Sequence, residues 1–541
     1  MSKIFEQLLR QRHLDPSFLH PKYENLADPF IIPDMDRAVS RIEQAIKSQE
    51  KILIYGDYDA DGVTSSTLME QTLVLAGIKP ERISIMLPNR FTDGYGMSPR
   101  LVDYTKEHQT SLVITVDCGS RNHEIIDQLN ALNVDTIITD HHETSDTLPS
   151  AVAVVNPKRN DYTSTHGVDH LAGVGVAFKV AQALVARGHI PVGQEKWLLD
   201  LVLIGTICDS MILDGDNRIL CYYGFKVLDK TRRPGLRELM RLARVKNLNT
   251  DCIGFQIGPR LNAAGRLQSA DLSLNLLRST SAPEAARLAS QLEELNNQRR
   301  SEQISATREI SERGASSDPV IIEAGQWHEG IVGIIAGRLV EEYQRPAFVL
   351  TEVEDGIYKG SGRSFGDFSL AEALNHAKDT IIGGGGHAGA AGVRLEVASL
   401  DKFRTAINDY YRSLHLKDQL KYLKQQPDLT LNDFSELNLQ LLEELKTLEP
   451  YGPGNEEPIF RLSNIQITSV TKMGSEGQHL RLDIADKHGK YLKLVAFYAP
   501  ENWLNLTPET HIEPLVKLTD NEWNGVHSLE ARLVGLDLPN Y

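Results

Sequence analysis

Thiols are scarce in this chain of 541 residues. Its four cysteines, Cys118, Cys208, Cys221 and Cys252, are scattered and form no CxxC pair, so they read as small core residues of a reduced, intracellular and cytoplasmic protein. Long apolar runs are missing too. No stretch approaches the ~20 uninterrupted apolar residues of a membrane span, and the polar opening MSKIFEQLLRQRHLDP is not that of a secretory signal. Positive charge is in deficit, with 57 basic against 73 acidic residues and a net charge of 57 − 73 = −16. That argues against a generic DNA-coating protein. It leaves room for an enzyme with a local basic track, whose carboxylates divalent metals could neutralise. Several familiar signatures are incomplete: the glycine run at 383–386 before His387 lacks the GK[ST] of a P-loop, and GVGVAF at 173–178 lacks the third glycine of a dinucleotide fingerprint. His328-Glu329 is followed by Val332 where a zincin needs histidine. There is no internal repeat and no low-complexity tract.

What is present reads as roughly two to four domains, since a chain this long exceeds one core. A composition of 41% hydrophobic and 24% charged residues is ordinary for a globular protein. In the first half, apolar runs at 52–55 (ILIY), 112–116 (LVITV), 135–139 (DTIIT) and 151–155 (AVAVV) alternate with helix-favouring segments such as 63–77. Such runs predict buried parallel strands covered by helices on both faces. They end in the polar clusters GDYDADG, DCGS, DHHE and NPKR, where the carboxyl ends of parallel strands place a ligand site. A polar stretch at 283–313 predicts a long connector helix outside the core, with Ser281 and Glu284 as its capping box. A second compact unit at about 319–415 carries VIIEA, AFVLT and the glycine-rich IIGGGGHAGAAG. The charged LKYLKQQPDLT reads as a junction, and the alternating segments after EPYGPGNEEPIF predict a small antiparallel barrel.

Asp57, Asp59 and Asp61 stand at i, i+2 and i+4 after the first strand. If the chain stays extended there, alternate side chains converge on one side. Carboxylates so close repel unless a cation lies among them. Alone, DYDADG fits an Asx-rich turn equally well. Further clusters shift the reading: Asp117 follows the second strand, Asp140-His141-His142 the third, and Asp209 ends the apolar run LVLIGTICD. Carboxylates with imidazoles suit Mn²⁺ or a similar ion, with Mg²⁺ as the alternative. Several acids around two cations, one acid bridging, is the layout of two-metal hydrolysis. Within IGPRLNAAGRL, Arg260 and Arg266 flank Asn262, a set that suits phosphate oxygens, against the blander alternative of surface arginines at a helix start. Ser361 and Arg363 of GSGRS offer a hydroxyl and a guanidinium.

DYDADG, VDCG, TDHHE and GTICD, in that order, resemble the signature of the DHH phosphoesterase superfamily. Within it the chain is similar to the RecJ family of single-strand-specific exonucleases, through PDMDRAVSRIEQAI, the GYG after Arg90, LAGVGVAFK, IGPRLNAAGRL, WHEGIVGIIAGRL, GSGRS, GGGGHAGAAG and EPYGPGN. The resemblance implies metal ligation by Asp59, Asp61, Asp117, His141 and Asp209, with Asp57 as a further ligand or supporting acid. It implies two Mn²⁺ ions bridged by Asp117, and His142 on the scissile phosphate beside Asp140. It further implies a terminal 5′-phosphate held by Ser361, Arg363 and Arg90, and strand contacts from Arg260, Asn262, Arg266 and His387, with Trp327 and His328 as weaker candidates. Two departures stand out: Tyr55 replaces a metal-binding histidine of many superfamily members, and CDSMIL around Asp209 replaces the commoner ADVVPL.

The implied architecture is α/β: an N-terminal leader (1–50), a DHH-type parallel-sheet domain (51–280), a connector helix (281–317), a second α/β DHH-associated domain (318–418) and a C-terminal β-barrel of the OB-fold type (425–541). In the barrel, Phe497, Tyr498, Trp503 and Trp523 are candidates for base stacking against the alternative of core packing, and Asn524-Gly525 marks a turn. The implied function is a 5′→3′ exonuclease on single-stranded DNA in repair and recombination. Its setting is that of a monomer without membrane contact, with a single-strand-binding protein and a helicase as further partners. Two rivals stand beside it: a phosphodiesterase for short oligoribonucleotides or cyclic dinucleotides, and a catalytically dead DNA-binding scaffold.

Overall fold

The computed structural model describes all residues except 95, 165–166, 417–418, 420–424, 524 and 538–541, so the tyrosine of GYG, part of the expected junction, and Asn524 lie outside the described residues. The chain divides into two compact units, Leu26–Gln419 and Met1–Asn25 with Leu420–Tyr541.

In the larger unit, five strands form a wholly parallel sheet in the order β2-β1-β3-β4-β5. They are β1 (Ile52–Tyr55), β2 (Ile83–Met86), β3 (Leu112–Val116), β4 (Asp135–Thr139) and β5 (Ala153–Val155). β1 and β3 are buried throughout, as apolar runs between helix layers must be. β2 was not expected from the sequence; it is an edge strand with only Ile83 buried, so it carries no apolar run to read. LVLIGTICD forms a helix, Leu199–Cys208, packed against the helices Ala60–Leu75 and Gly173–Ala186. A helix apolar all round is a fully buried one.

The 32-residue helix Ala282–Arg313 corrects two expectations. Its first half belongs to the core, burying Ala285, Leu288, Ala289 and Leu292 among the helices Pro234–Leu242, Gly258–Leu267 and Asp271–Arg278. Ser281 sits at the N-cap position but its side chain makes no capping bond, so there is no capping box. Beyond it, β6 (Ile321–Gly325), β7 (Ala347–Glu354), β8 (Ile357–Arg363), β9 (Gly383–Gly386) and β10 (Ala390–Glu396) form a mixed sheet, β6-β7-β8-β10-β9. Only β6 and β7 are parallel, joined by the helix Val332–Tyr343.

In the smaller unit the strands are β11 (Leu429–Leu431), β12 (Phe460–Leu462), β13 (Ile465–Met473), β14 (His479–Ala485), β15 (Tyr491–Ala496), β16 (His511–Trp523) and β17 (Val526–Asp537). They run β11-β12-β16-β13-β14-β15-β17, and the pairing of β16 with β17 closes the barrel. It is not purely antiparallel, because the β11–β12 and β15–β17 pairs are parallel. The stretch 1–50 is not one leader either. The helix Lys3–Gln11 buries Ile4, Phe5 and Leu8 in the barrel core, and Arg12 forks onto Asp428 at 2.6 and 2.9 Å. The helix Met35–Ser48 packs instead in the larger unit, against β5 and Gly173–Ala186. Trp503 packs against the barrel core rather than offering a free stacking face, whereas Phe497 and Tyr498 are exposed. The side chain of Trp523 lies outside the described residues. Among the described residues no helix is long and apolar enough to cross a membrane.

Candidate metal centre

The acids of DYDADG converge by a different route from the extended chain expected of them. β1 stops at Tyr55, and Asp59 becomes the N-cap of the helix Ala60–Leu75, its Oδ1 accepting from Gly62 N at 3.0 Å. Asp61 therefore lies in the first helical turn. Both its oxygens are gripped by the N-terminus of a second helix, Gly173 N at 2.7 Å and Val174 N at 2.9 Å, an arrangement favoured by the helix dipole. Asp117 follows β3 in a left-handed conformation (φ 61°), and Asp209 caps the C-terminus of the helix Leu199–Cys208. Glycines make this crowding feasible. A Cβ on Gly173 would lie 2.5 Å from Asp117 Cβ, one on Gly205 2.5 Å from Asp61 Oδ1, and one on Gly62 2.6 Å from Asp57 Cα. Sequence reasoning missed Gly173 and Gly205, although each is a glycine inside an apolar helical run, where it needs a packing reason.

Among the described residues three groups each bring their donor atoms within 4.8 Å of one another: Asp57, Asp59 and Asp117; Asp61, His141 and Asp209; and Asp117, His141 and His142. His141 Nε2 stands 3.1 Å from Asp117 Oδ1, 3.5 Å from Asp209 Oδ2 and 3.9 Å from Asp61 Oδ2. Both His141 Nε2 and Asp117 Oδ1 are shielded from solvent and have no hydrogen-bond partner among the described residues. Burial and then the charge of Asp59 push Asp57 and Asp209 up to about 7. Burial carries Asp61 and Asp117 well above the carboxylate range, reinforced by Asp209 and Asp61 respectively. Burial and the charge of His142 lower His141 to about 3, which keeps it a neutral imidazole. Acids that cannot ionise side by side, a neutral imidazole and two orphaned donor atoms are a set that fits divalent cations.

Asp140 plays another part. It accepts from Ser120 N, His141 N, His142 N and His142 Nδ1, the last at 2.8 Å. Burial alone would raise it, but the His142 bond outweighs that and holds its carboxyl well below the usual range. Burial would likewise lower His142, yet Asp140 pushes it up to about 9. Tyr55 takes no place in the donor set: its side chain is fully buried in an apolar cluster, and its hydroxyl donates to Gly96 O at 3.0 Å.

A cluster of guanidiniums adjoins the acids. Arg90 stacks over the Tyr58 ring at 4.3 Å, and Arg363 Nη1 donates to Ser361 Oγ at 2.9 Å. Arg266 is lowered to about 9 by burial and the charges of Arg90 and Arg299, and Arg363 is lowered by burial and Arg90. Cations this crowded favour a bound anion. Arg299 was not foreseen, because QRRSEQ in a polar helix carries no signal beyond a solvated face. Arg260 is the clear correction. Its guanidinium forks onto Glu293 at 2.5 and 3.1 Å and donates to Gln256 O, so it braces two helices instead of facing a phosphate. Asn262 supports the acidic loop, its Oδ1 accepting from Ala60 N at 2.8 Å. His387 sits exposed at the turn between β9 and β10. Trp327 Nε1 donates to Glu309, and His328 meets Phe91 edge-on at 5.4 Å.

Residues 51–206 match the DHH family N-terminal domain, 317–413 the DHHA1 domain and 428–535 the RecJ OB domain. The single-stranded-DNA-specific exonuclease RecJ of Bacillus subtilis (strain 168) is 36% identical over 536 residues, 97% of this chain and 66% of the relative. The protein of the same name from Dickeya dadantii (strain 3937) is 33% identical over 539 residues, covering 95% and 92%. The crystal structure of RecJ in complex with Mn²⁺ from Thermus thermophilus matches with a TM-score of 0.81 at 28% identity, over 99% of this chain and 78% of that one.

Proposed function

The chain belongs to the RecJ family, and from that premise we propose a 5′→3′ exonuclease that hydrolyses single-stranded DNA, in repair and recombination, at a centre holding two divalent ions. The observation that carries the proposal is that Asp117 groups with Asp57 and Asp59 while its Oδ1 stands 3.1 Å from Nε2 of His141, a member of the group with Asp61 and Asp209, which is the position a bridging carboxylate needs. Asp57, Asp59 and Asp117 would hold one ion, and Asp61, His141, Asp209 and Asp117 the other, with Mn²⁺ suited to this mixed donor set and Mg²⁺ able to replace it. When bound, the ions supply an activated water and offset charge on the phosphoryl oxygens.

The side chains supply the rest. His142, with Nδ1 held by Asp140, keeps a proton on an imidazolium whose Nε2 can donate to the scissile phosphate or the leaving 3′-oxygen. Asp140 is a positioning residue for His142. Ser361, Arg363 and Arg90 would seat the terminal 5′-phosphate, and Arg266 the adjoining backbone. The barrel at 428–535 favours a polymer over the di- to tetranucleotides of the rival phosphodiesterase. A single-strand-binding protein and a helicase are the proposed partners, a monomer the proposed state and the cytoplasm the proposed setting. Protein freed of metal by dialysis, then given Mn²⁺ and 5′-labelled single strands, should release mononucleotides from the 5′ end. Intact strands with metal present would sink the proposal, and cleavage confined to very short oligomers would favour the rival.

A further inference from the structure

The helix that carries Asn262 and Arg266 begins in an unusual way. Residues Ile253–Ile257 form a single π turn directly ahead of Gly258–Leu267, a feature that recurs at functional sites. The turn buries Ile253 and Ile257 completely and leaves Phe255 79% exposed. Next to it lies a cavity of about 130 Å³, lined among others by Cys208, Gly254, Pro259, Arg266 and Arg299. Cys208 precedes Asp209, so this cavity adjoins the acidic centre. Phe255 is the residue next to Gly254, so its exposed ring projects from the backbone beside this cavity. Arg299 donates through its Nη atoms to Asn296 Oδ1 at 3.1 Å and Gln303 Oε1 at 3.4 Å, but its Nε is shielded from solvent with no hydrogen-bond partner among the described residues, and Arg266 reaches Gly330 O through a long 3.5 Å contact.

Two guanidiniums lining a cavity, one with an unpartnered Nε, and an exposed phenyl beside it match a nucleotide, anionic at one end and planar at the other. We propose that Phe255 is a base-stacking subsite of the larger unit, taking one base downstream of the scissile phosphate while Arg266 and Arg299 hold that nucleotide's phosphate. The proposal rests on the exonuclease reading. Stacking tolerates any sequence, because every base has a π face, and it disfavours a duplex, whose bases are already stacked and paired.

The test compares the wild type with F255A and F255W on 5′-phosphorylated single strands, including a series in which one abasic residue is moved along the strand. Because Phe255 is exposed, both variants should melt with the wild type. F255A should raise KM about tenfold with kcat unchanged at saturation, and F255W should restore KM. In the wild type an abasic residue at one fixed position should raise KM by the same factor, while F255A should ignore it. An unchanged KM in F255A, or an abasic penalty equal in both proteins, overturns the subsite. If the wild type leaves all strands intact, the exonuclease reading falls separately. Phe255 is then judged by oligonucleotide binding with Mn²⁺ present, where F255A must bind about tenfold more weakly or the subsite is refuted.

Discussion

Removal of divalent ions should leave a protein whose stability falls as pH rises through neutrality. Asp57 and Asp209 are held near 7 by burial and the charge of Asp59, and burial raises Asp61 and Asp117 well above the carboxylate range as well. Each would titrate near 3.9 in the unfolded chain. A raised folded-state value stabilises the fold below the unfolded value and loses that contribution as pH climbs to the folded one. The window is therefore about pH 4 to 7 for Asp57 and Asp209, and Asp61 and Asp117 act in the same direction. Each pH unit removes about 1.4 kcal/mol per group. Two groups over such a window amount to several kcal/mol, comparable with the ~5–15 kcal/mol that hold a domain folded. His141, lowered to about 3, acts in the opposite direction up to about pH 6.5, one group against four. His142, raised to about 9, adds a loss of the same sign from about 6.5 to 9. Saturating Mn²⁺ binds the ionised acids and adds about 4 kcal/mol at a thousandfold excess over its Kd. Thermal melts from pH 5 to 9, in EDTA and in Mn²⁺, measure both. The EDTA curve should decline with pH, the Mn²⁺ curve should be flatter, and Asp209→Asn should reduce the EDTA slope. An EDTA curve that is flat or rising across pH 6.5–9 would refute the reasoning.

Other substitutions separate the roles of neighbouring residues. Asp117→Ala should abolish turnover while strand binding stays measurable, and full activity would refute the bridging role. Gly205→Ala places a Cβ 2.5 Å from Asp61 Oδ1 and 2.6 Å from Thr64 Oγ1. It should lower stability by about 1–3 kcal/mol and Mn²⁺ affinity by about tenfold, read by melting and metal titration. Arg363→Ala should raise KM about tenfold for 5′-phosphorylated strands and little for 5′-hydroxyl strands. Arg260→Ala should lower the melting temperature through loss of the Glu293 fork while leaving KM within about twofold.

The parallel strands were legible because burial on both faces leaves continuous apolar runs, as in ILIY and LVITV. The edge strand Ile83–Met86 has no such run to show. The acids of DYDADG were legible as a group, but the means of bringing them together was not. Alternation suggested an extended strand, whereas Asp59 capping a helix and Asp61 meeting a second helix N-terminus depend on long-range packing. Partner choice was the hardest to read: nothing in IGPRLNAAGRL says that Arg260 meets Glu293 or that Asn262 meets Ala60, contacts made across large sequence separations. The split of residues 1–50 between two units was hidden for the same reason, since the amphipathic helix Lys3–Gln11 does not name the core it joins.

Anomalous diffraction at the manganese edge from Mn²⁺-soaked crystals tests the two-ion centre most directly. Two peaks about 3.5–4 Å apart are expected. One should lie between Asp57, Asp59 and Asp117, and the other between Asp61, His141 and Asp209, with Asp117 touching both. A single peak at saturating metal, or a pair that Asp117 does not bridge, would contradict the account.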